Sequence, residues 1–415
     1  MKKTIRDVDV TNKRVLIRVD FNVPMSEIRP SSAVTDHNIV DDARIHATIP
    51  TIQYLIEHGA KCLILTHLGR PSGYVIENLR TDPVATRLAD LMRVPVTKVN
   101  NCIGPEVQEA VKRMEAGEVL FLENVRFHPG EMVNDARFAA RLAENADLFV
   151  NDAFGSAHRV HASTLGITRY LPSVAGLLME AEIQGLTSVR ARIKTPLVAL
   201  LGGFRLVDKA HFIDDQLERG NRVLLGGALA NTFLRASGYE TGTSDVEVEL
   251  LTLARGLLAQ YGDLIALPQD VVITDTSASQ SKPRTLPANR VPPSGCIVDI
   301  GPATVAHFSR ILEQAGTIVW NGPMGAVEDE PFRHGTHALA QRIANLAHVI
   351  KIVGGGDTLA VVDMLGLDTK FDYISTGGAS FLETLERGSL PAIAALQDRQ
   401  PQASVQPKTP NEPVV

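Results

Sequence analysis

The chain has 415 residues, 44% of them hydrophobic, 21% charged and 5% aromatic, with a formal net charge of −6. This length exceeds one ordinary core and predicts two domains of roughly 150–200 residues, mainly aliphatic inside, with the composition of a soluble globular protein. The negative charge argues against a nucleic-acid binder relying on bulk positive charge. No apolar run of about 18 residues exists to span a membrane, and the dispersed Cys62, Cys102 and Cys296 argue against a disulfide framework or a zinc site.

The N-terminus, MKKTIRDVDV, starts basic but lacks an apolar h-region, so it reads as no signal peptide and a cytoplasmic location is expected. The apolar run RVLIRVDFN (residues 14–22) follows. Residues 25–40, with Pro30, two serines, Asp36 and Asn38, read as a loop. A helix is predicted over 42–57, then the run CLILTHLGR (62–70), a helix over 105–115, VLFLENVRF (119–127), a helix over 135–145 and ADLFVNDAFGSAHR (146–159). Residues 178–194 form a helical stretch near the middle and read as the connector between domains. Beyond Pro196 the runs end in glycine instead: PLVALLGG, RVLLGG, IKIVGGGDT and YISTGG. Helices are predicted between and around them over 209–220, 247–261, 303–315, 336–346 and 358–365. Residues 397–415 carry four prolines and read as a disordered tail. Strand-like runs alternating with helix-length stretches imply βαβ units and a mostly parallel sheet, an α/β fold.

In open α/β sheets, ligands bind at the C-terminal ends of the strands. The first half delivers Asp20, Asn22, His67, Arg70, Arg126 and Arg159 to such ends, with Arg44 early in the following helix. Guanidinium forks grip phosphate and carboxylate bidentately, so this set reads as a pocket for a small, highly anionic molecule. Ordinary surface arginines and helix caps are the alternative. The second half offers Gly202-Gly203, Gly226-Gly227, Gly354-Gly355-Gly356-Asp357-Thr358 and Gly377-Gly378. Glycines before a helix let backbone amides approach phosphates closely; tight turns are the competing explanation. Neither GxGxxG with a suitable acid nor GxxxxGK[ST] accounts for them. Arg205 and Lys209 sit at a helix start, where they oppose the dipole unless an anion is present. Asp357 either caps its helix or reaches a nucleotide-borne magnesium ion. An arginine-rich rim facing bare amides suggests a kinase with one substrate per domain.

The motifs RVDFNVP, THLGRP, LENVRF, NDAFGSAHR, LANTF, WNGPMG, VGGGDT and STGG occur in the order found in phosphoglycerate kinases, and residues 1–395 resemble that family. The resemblance implies two Rossmann-like domains with parallel sheets, joined by a helix and facing across a hinge cleft. It divides the chain into 1–177 (3-phosphoglycerate), 178–194 (connector), 195–380 (nucleotide), 381–396 (a segment returning to the first domain) and the tail 397–415. It implies reversible phosphoryl transfer between 1,3-bisphosphoglycerate and MgADP, giving 3-phosphoglycerate and MgATP, in a monomer. Asp20, Asn22, Arg44, His67, Arg70, Arg126 and Arg159 would hold phosphoglycerate. Gly203, Arg205, Lys209, Gly227, Asn321, Glu328, Gly354, Gly355, Gly356, Asp357 and Thr358 would hold the nucleotide, Asp357 reaching its magnesium. Arg44, Arg205 and the amides of Gly377 and Gly378 would face the transferring phosphoryl group. The sequence departs from the family pattern at Arg205 (usually lysine), Ala228 and Ala379 (usually glycine) and Val327 (usually phenylalanine). A catalytically weakened phosphoglycerate-binding paralogue and a kinase for a related phosphorylated carboxylate are the alternatives.

Overall fold

The computed structural model describes residues 1–25, 39–275 and 282–399. Of the loop read over 25–40, Met25, Ile39 and Val40 are described, and Met25 bridges Ile39; the rest lies outside the described residues.

The first lobe runs β1 (Arg14–Arg18), α1 (Ala43–Glu57), β2 (Lys61–Leu65), α2 (Asp82–Met92), β3 (Val96–Lys98), α3 (Pro105–Arg113), β4 (Val119–Phe121), α4 (Ala136–Ala143), β5 (Leu148–Asn151) and β6 (Ser173–Ala175). Its strands pair in parallel, in the order β3-β4-β2-β1-β5-β6. Along β1 the side chains alternate between two cores: Val15 and Ile17 pack on one face of the sheet and Leu16 on the other. A run apolar at every position is thus buried on both sides.

Helix α5 (Leu177–Arg190) leads into the second lobe: β7 (Leu197–Leu201), α6 (Ala210–Glu218), β8 (Arg222–Leu225), α7 (Gly227–Ala236), α8 (Leu251–Tyr261), β9 (Ile265–Ala266), β10 (Asp270–Asp275), β11 (Arg284–Pro287), β12 (Gly295–Ile300), α9 (Pro302–Leu312), β13 (Thr317–Asn321), α10 (His334–Ala344), β14 (Ile350–Gly354), α11 (Gly356–Met364), β15 (Tyr373–Ser375), α12 (Ala379–Arg387) and α13 (Pro391–Ala394). Its main sheet is again parallel, ordered β15-β14-β13-β7-β8-β9. The chain leaves β1 towards β2 and later returns to its other side as β5; β7 lies likewise between β8 and β13. Each sheet therefore has a switch point, and the crevice there opens at the strand ends that carry the polar motifs.

Both large sheets are parallel as expected, and one small sheet is the exception. Strands β11, β10 and β12 form a separate antiparallel sheet. Between β10 and β12 the sequence is rich in proline and polar residues and has no helical period, so no crossover helix can bring the strands parallel. Helix α5 ends at Arg190, short of the predicted residue 194. The returning segment runs beyond residue 396: Lys3 N donates to Gln397 O at 2.7 Å, Gln397 N to Ser173 O at 2.9 Å, and Arg399 Nε to Asp7 at 2.7 Å. The first three residues of the expected tail are thus paired with the N-terminus. Ala392, Ile393 and Leu396 join a core that also holds Phe154 and Ala175.

A chain ended after residue 390 should therefore unfold at least ~5 °C lower than the full chain, since each buried aliphatic side chain contributes about 1.5–3 kcal/mol. One ended after residue 399 should match it. Thermal unfolding of the two truncations checks this.

Candidate active site

β1 ends in a buried charge. Arg18 is 0% exposed; its Nε donates to Ser163 Oγ at 2.9 Å, and it also donates to Val19 O. Its Nη2 lies 3.1 Å from His67 Nδ1. A guanidinium can only donate, so Nδ1 accepts and the His67 proton sits on Nε2. Burial pushes His67 well below the ordinary histidine range and keeps it neutral. Behind Ser163 stands buried Glu131, which accepts from Ser163 Oγ at 2.6 Å and Ser163 N at 2.9 Å. Two residues past β1, Asp20 accepts from Arg44 Nη1 at 2.8 Å. Burial raises this carboxyl, but the guanidiniums of Arg44, Arg18 and Arg126 together hold it far below the usual range, so it is ionised.

Around this floor the expected residues gather. Asn22 Oδ1 accepts from Gly69 N at 2.7 Å, and Arg126 Nη1 donates to Gly69 O at 2.8 Å, which joins the ends of β1, β2 and β4. Burial and the neighbouring guanidiniums of Arg159 and Arg18 push Arg126 down to about 10. Burial, with Arg159 or Arg126 nearby, brings His158 to about 4 and His161 to about 3. Asp20 Oδ1 and Arg126 Nε are buried without a hydrogen-bond partner, an acceptor and a donor both left free. Arg70 is exposed on the segment after β2, and Arg159 is half-buried.

In the second lobe the glycine turns stack on one another. Gly227 has φ +60°, and a Cβ there would lie 2.7 Å from Gly203 N, so only glycine permits the approach. Asn321, at the end of β13, donates to Gly354 O at 2.7 Å; Thr358 Oγ1 accepts from Gly322 N at 2.8 Å. Gly355 caps α11, Gly356 opens it, and Asp357 is its exposed second residue with no capping bond, so the capping role is not seen. Lys209 Nζ donates to Gly202 O at 2.7 Å, and burial brings it down to about 8. Arg205 Nη1 lies 3.8 Å from Asp208 Oδ2. A cavity of about 260 Å³ opens beside these turns, lined by Gly203, Gly227, Ala228, Asp357 and Glu328 among others.

The lobes meet where the two sets converge. A Cβ on Gly356 would lie 3.7 Å from Arg44 Nη2, and one on Gly377 would lie 2.6 Å from Phe154 Cε1. Arg44 of the first lobe thus reaches from Asp20 to the N-terminus of α11.

The profile of the phosphoglycerate kinase family matches residues 5–388. The chain belongs to the phosphoglycerate kinase family. It is 45% identical to the phosphoglycerate kinase of Moorella thermoacetica over 401 residues, covering 96% of this chain and 100% of that protein. With that of Thermomicrobium roseum it shares 46% over 399 residues, 95% and 99% of the two chains. The phosphoglycerate kinase structure from Pyrococcus horikoshii OT3 matches with a TM-score of 0.80 at 32% identity, covering 95% of this chain and 98% of that one. The Coxiella burnetii structure gives 0.69 at 38%, with the same coverage.

Within this phosphoglycerate kinase fold some expectations change. The Gly377 N–H is not free to face a phosphoryl group, because it donates to Ser375 Oγ at 3.2 Å. Gly378 caps α12, and Ala379 opens that helix without a positive φ, so its methyl is tolerated there. Three buried residues escaped the sequence reading. Arg18 carried a signal that could have found it, a charge within an otherwise apolar strand run. Glu131 had no local signal. Glu182 lies on α5 and accepts from Ser375 Oγ at 2.8 Å and from Thr376 N and Oγ1 at 2.7 Å, tying α5 to the strand end before Gly377.

Lys209 is charged below about pH 8 and loses its charge as pH rises through that value. A polyanion held beside Lys209 should therefore bind less tightly as pH rises from 7 to 9, and Lys209→Arg should flatten that fall, with MgADP as the probe. Calorimetric titration at a series of pH values measures both.

Proposed function

We propose the following division of labour for the phosphoglycerate kinase reaction of this chain, reversible phosphoryl transfer between 1,3-bisphosphoglycerate and ADP. The first lobe holds the phosphoglycerate. Arg126, Arg159, Arg70 and the His67 Nε2–H grip its phosphate and carboxylate. Asn22 holds the Gly69 turn in place, and Asp20 Oδ1 accepts from the substrate hydroxyl. Support comes from the unpartnered Asp20 Oδ1 and Arg126 Nε, which match one donor and one acceptor on a hydroxy acid.

The second lobe holds the nucleotide. Its phosphates lie on the amides of Gly354, Gly355 and Gly356 and on Thr358 and Lys209, at the positive end of α11. Gly203, Gly227, Asn321 and Glu328 border the remainder. Asp357 fits a magnesium ion carried by the nucleotide: its carboxylate is exposed, lines the cavity and accepts no capping bond. Among the described residues no cluster of three His, Cys, Asp or Glu could hold a metal, so phosphate oxygens would complete the shell. When bound, the ion offsets negative charge on the phosphates.

In the direction of ATP use, the carboxylate of 3-phosphoglycerate is already ionised and attacks the γ-phosphoryl in line, so no general base is needed. Arg44, Arg205 and the Gly378 amide stabilise charge on the equatorial oxygens. Drawing the lobes together excludes water and protects the acyl phosphate from hydrolysis. The observation that carries this reading is Arg44, bonded to Asp20 and close to Gly356. The free thiols accord with a reducing cytoplasm, Cys62 being pushed up to about 12 by burial. Among the described residues no helix is long and apolar enough to cross a membrane.

A coupled assay with 3-phosphoglycerate and MgATP tests the assignment. The purified chain should turn over, and Arg205→Ala should lower kcat about 100-fold with the KM for 3-phosphoglycerate within about twofold. Arg205→Lys should keep the charge and most of the rate. An unchanged kcat in Arg205→Ala removes Arg205 from the mechanism; binding without turnover in the parent chain would point to a binding paralogue.

A further inference from the structure

Phe204 is 68% exposed, yet it lines the second-lobe cavity. A lone exposed phenylalanine needs no explanation. This one differs because its backbone is fixed on both sides. Gly203, at φ +77°, donates to Pro323 O at 2.7 Å and accepts from Leu229 N at 3.1 Å. Beyond the ring, Leu206 is fully buried, and the amides of Leu206 and Val207 both donate to the Glu247 carboxylate. Glu247 is itself anchored, its N–H donating to Thr232 Oγ1 at 3.1 Å. The turn therefore presents the ring to solvent at the cavity rather than letting it fold into a core.

The cavity has the size and lining to take a heterocycle. Ala228, Leu234, Val271, Ile297 and Met324 give it apolar walls, while Asp357 at one edge marks the end where phosphates would lie. A flat purine in such a slot exposes one face unless something covers it, and aromatic rings stack on that face regardless of base identity. We propose that Phe204 is a nucleotide-recognition residue whose ring packs on the face of the purine base of ADP and ATP. This rests on the reading of the cavity as the nucleotide site. The ring makes the base, and not only the phosphates, a source of affinity, and it leaves the phosphoryl-transfer groups untouched.

Calorimetric titration of the full chain with MgADP, and with magnesium tripolyphosphate as a probe lacking the base, tests the proposal. Phe204→Ala removes an exposed side chain and should not perturb folding. It should weaken MgADP on the order of tenfold, about 1.4 kcal/mol, leave tripolyphosphate unchanged, and be rescued by Phe204→Trp. Equal weakening of both probes, or no weakening of MgADP, would overturn it. Ala228→Leu, which narrows the cavity, separates the two levels of the claim. If Ala228→Leu leaves MgADP binding intact, the cavity is not the nucleotide site. If it weakens binding while Phe204→Ala does not, the site stands and the role of Phe204 falls.

Discussion

Two buried carboxylates bind helix α5 to both lobes, and the facing of the two ligand edges depends on them. Asp152, just after β5, accepts from Met179 N at 3.0 Å in the first turn of α5, and burial pushes it up to about 6. Three residues along the helix, Glu182 accepts from the β15 end and the turn after it, and burial raises it as well. Neither helix nor lobes could approach so closely with larger residues. A Cβ on Gly176 would lie 2.2 Å from Asp152 Oδ1, and one on Gly185 would lie 2.1 Å from the Tyr373 ring. α5 is thus a short rigid strut between the first-lobe floor and the turn that carries Gly377 and Gly378.

The first-lobe pocket obeys a second constraint, that buried charge must be paired. Arg18, Ser163 and Glu131 form a chain behind the pocket; Arg18, neutral His67 and ionised Asp20 form its floor. Because Asp20 is shared with Arg44, the charge of the pocket extends to the opposite lobe. The guanidiniums of Arg126 and Arg159 lie near enough for each to add to the positive charge around the other. The second lobe works differently, with backbone amides and glycine turns in place of long cations. A small acid with two anionic ends suits the first arrangement, and a flexible polyphosphate suits the second.

Much of this was legible in the sequence, for a physical reason. Strands buried on both faces must be apolar throughout, so the residue where polarity resumes marks the strand end, and in this topology the strand end is the site. Asp20, His67, Arg126 and the VGGGDT turn were found by that rule. What stayed hidden lacked such a signal. Helix α7 begins in Gly-Gly and looks like a turn. The antiparallel strand β12 (GCIVDI) resembles any short apolar run, since pairing direction is set by its connection and not by its composition. Glu131 and Glu182 act through partners distant in sequence, and a single acid in a helix or turn looks like solvated surface. The Gly377 amide shows the converse, a glycine turn that does follow a strand but whose N–H is claimed by a neighbouring hydroxyl.

Arg44 is rooted in one lobe and reaches the junction of both, where the proposed transfer would take place. Steady-state kinetics of Arg44→Ala with 3-phosphoglycerate and MgATP addresses that step most directly. A role in the transfer step predicts a fall in kcat on the order of 100-fold with a much smaller rise in the KM for 3-phosphoglycerate. A variant with normal kcat and a raised KM alone would make Arg44 a substrate anchor of the first lobe and remove it from the transfer step.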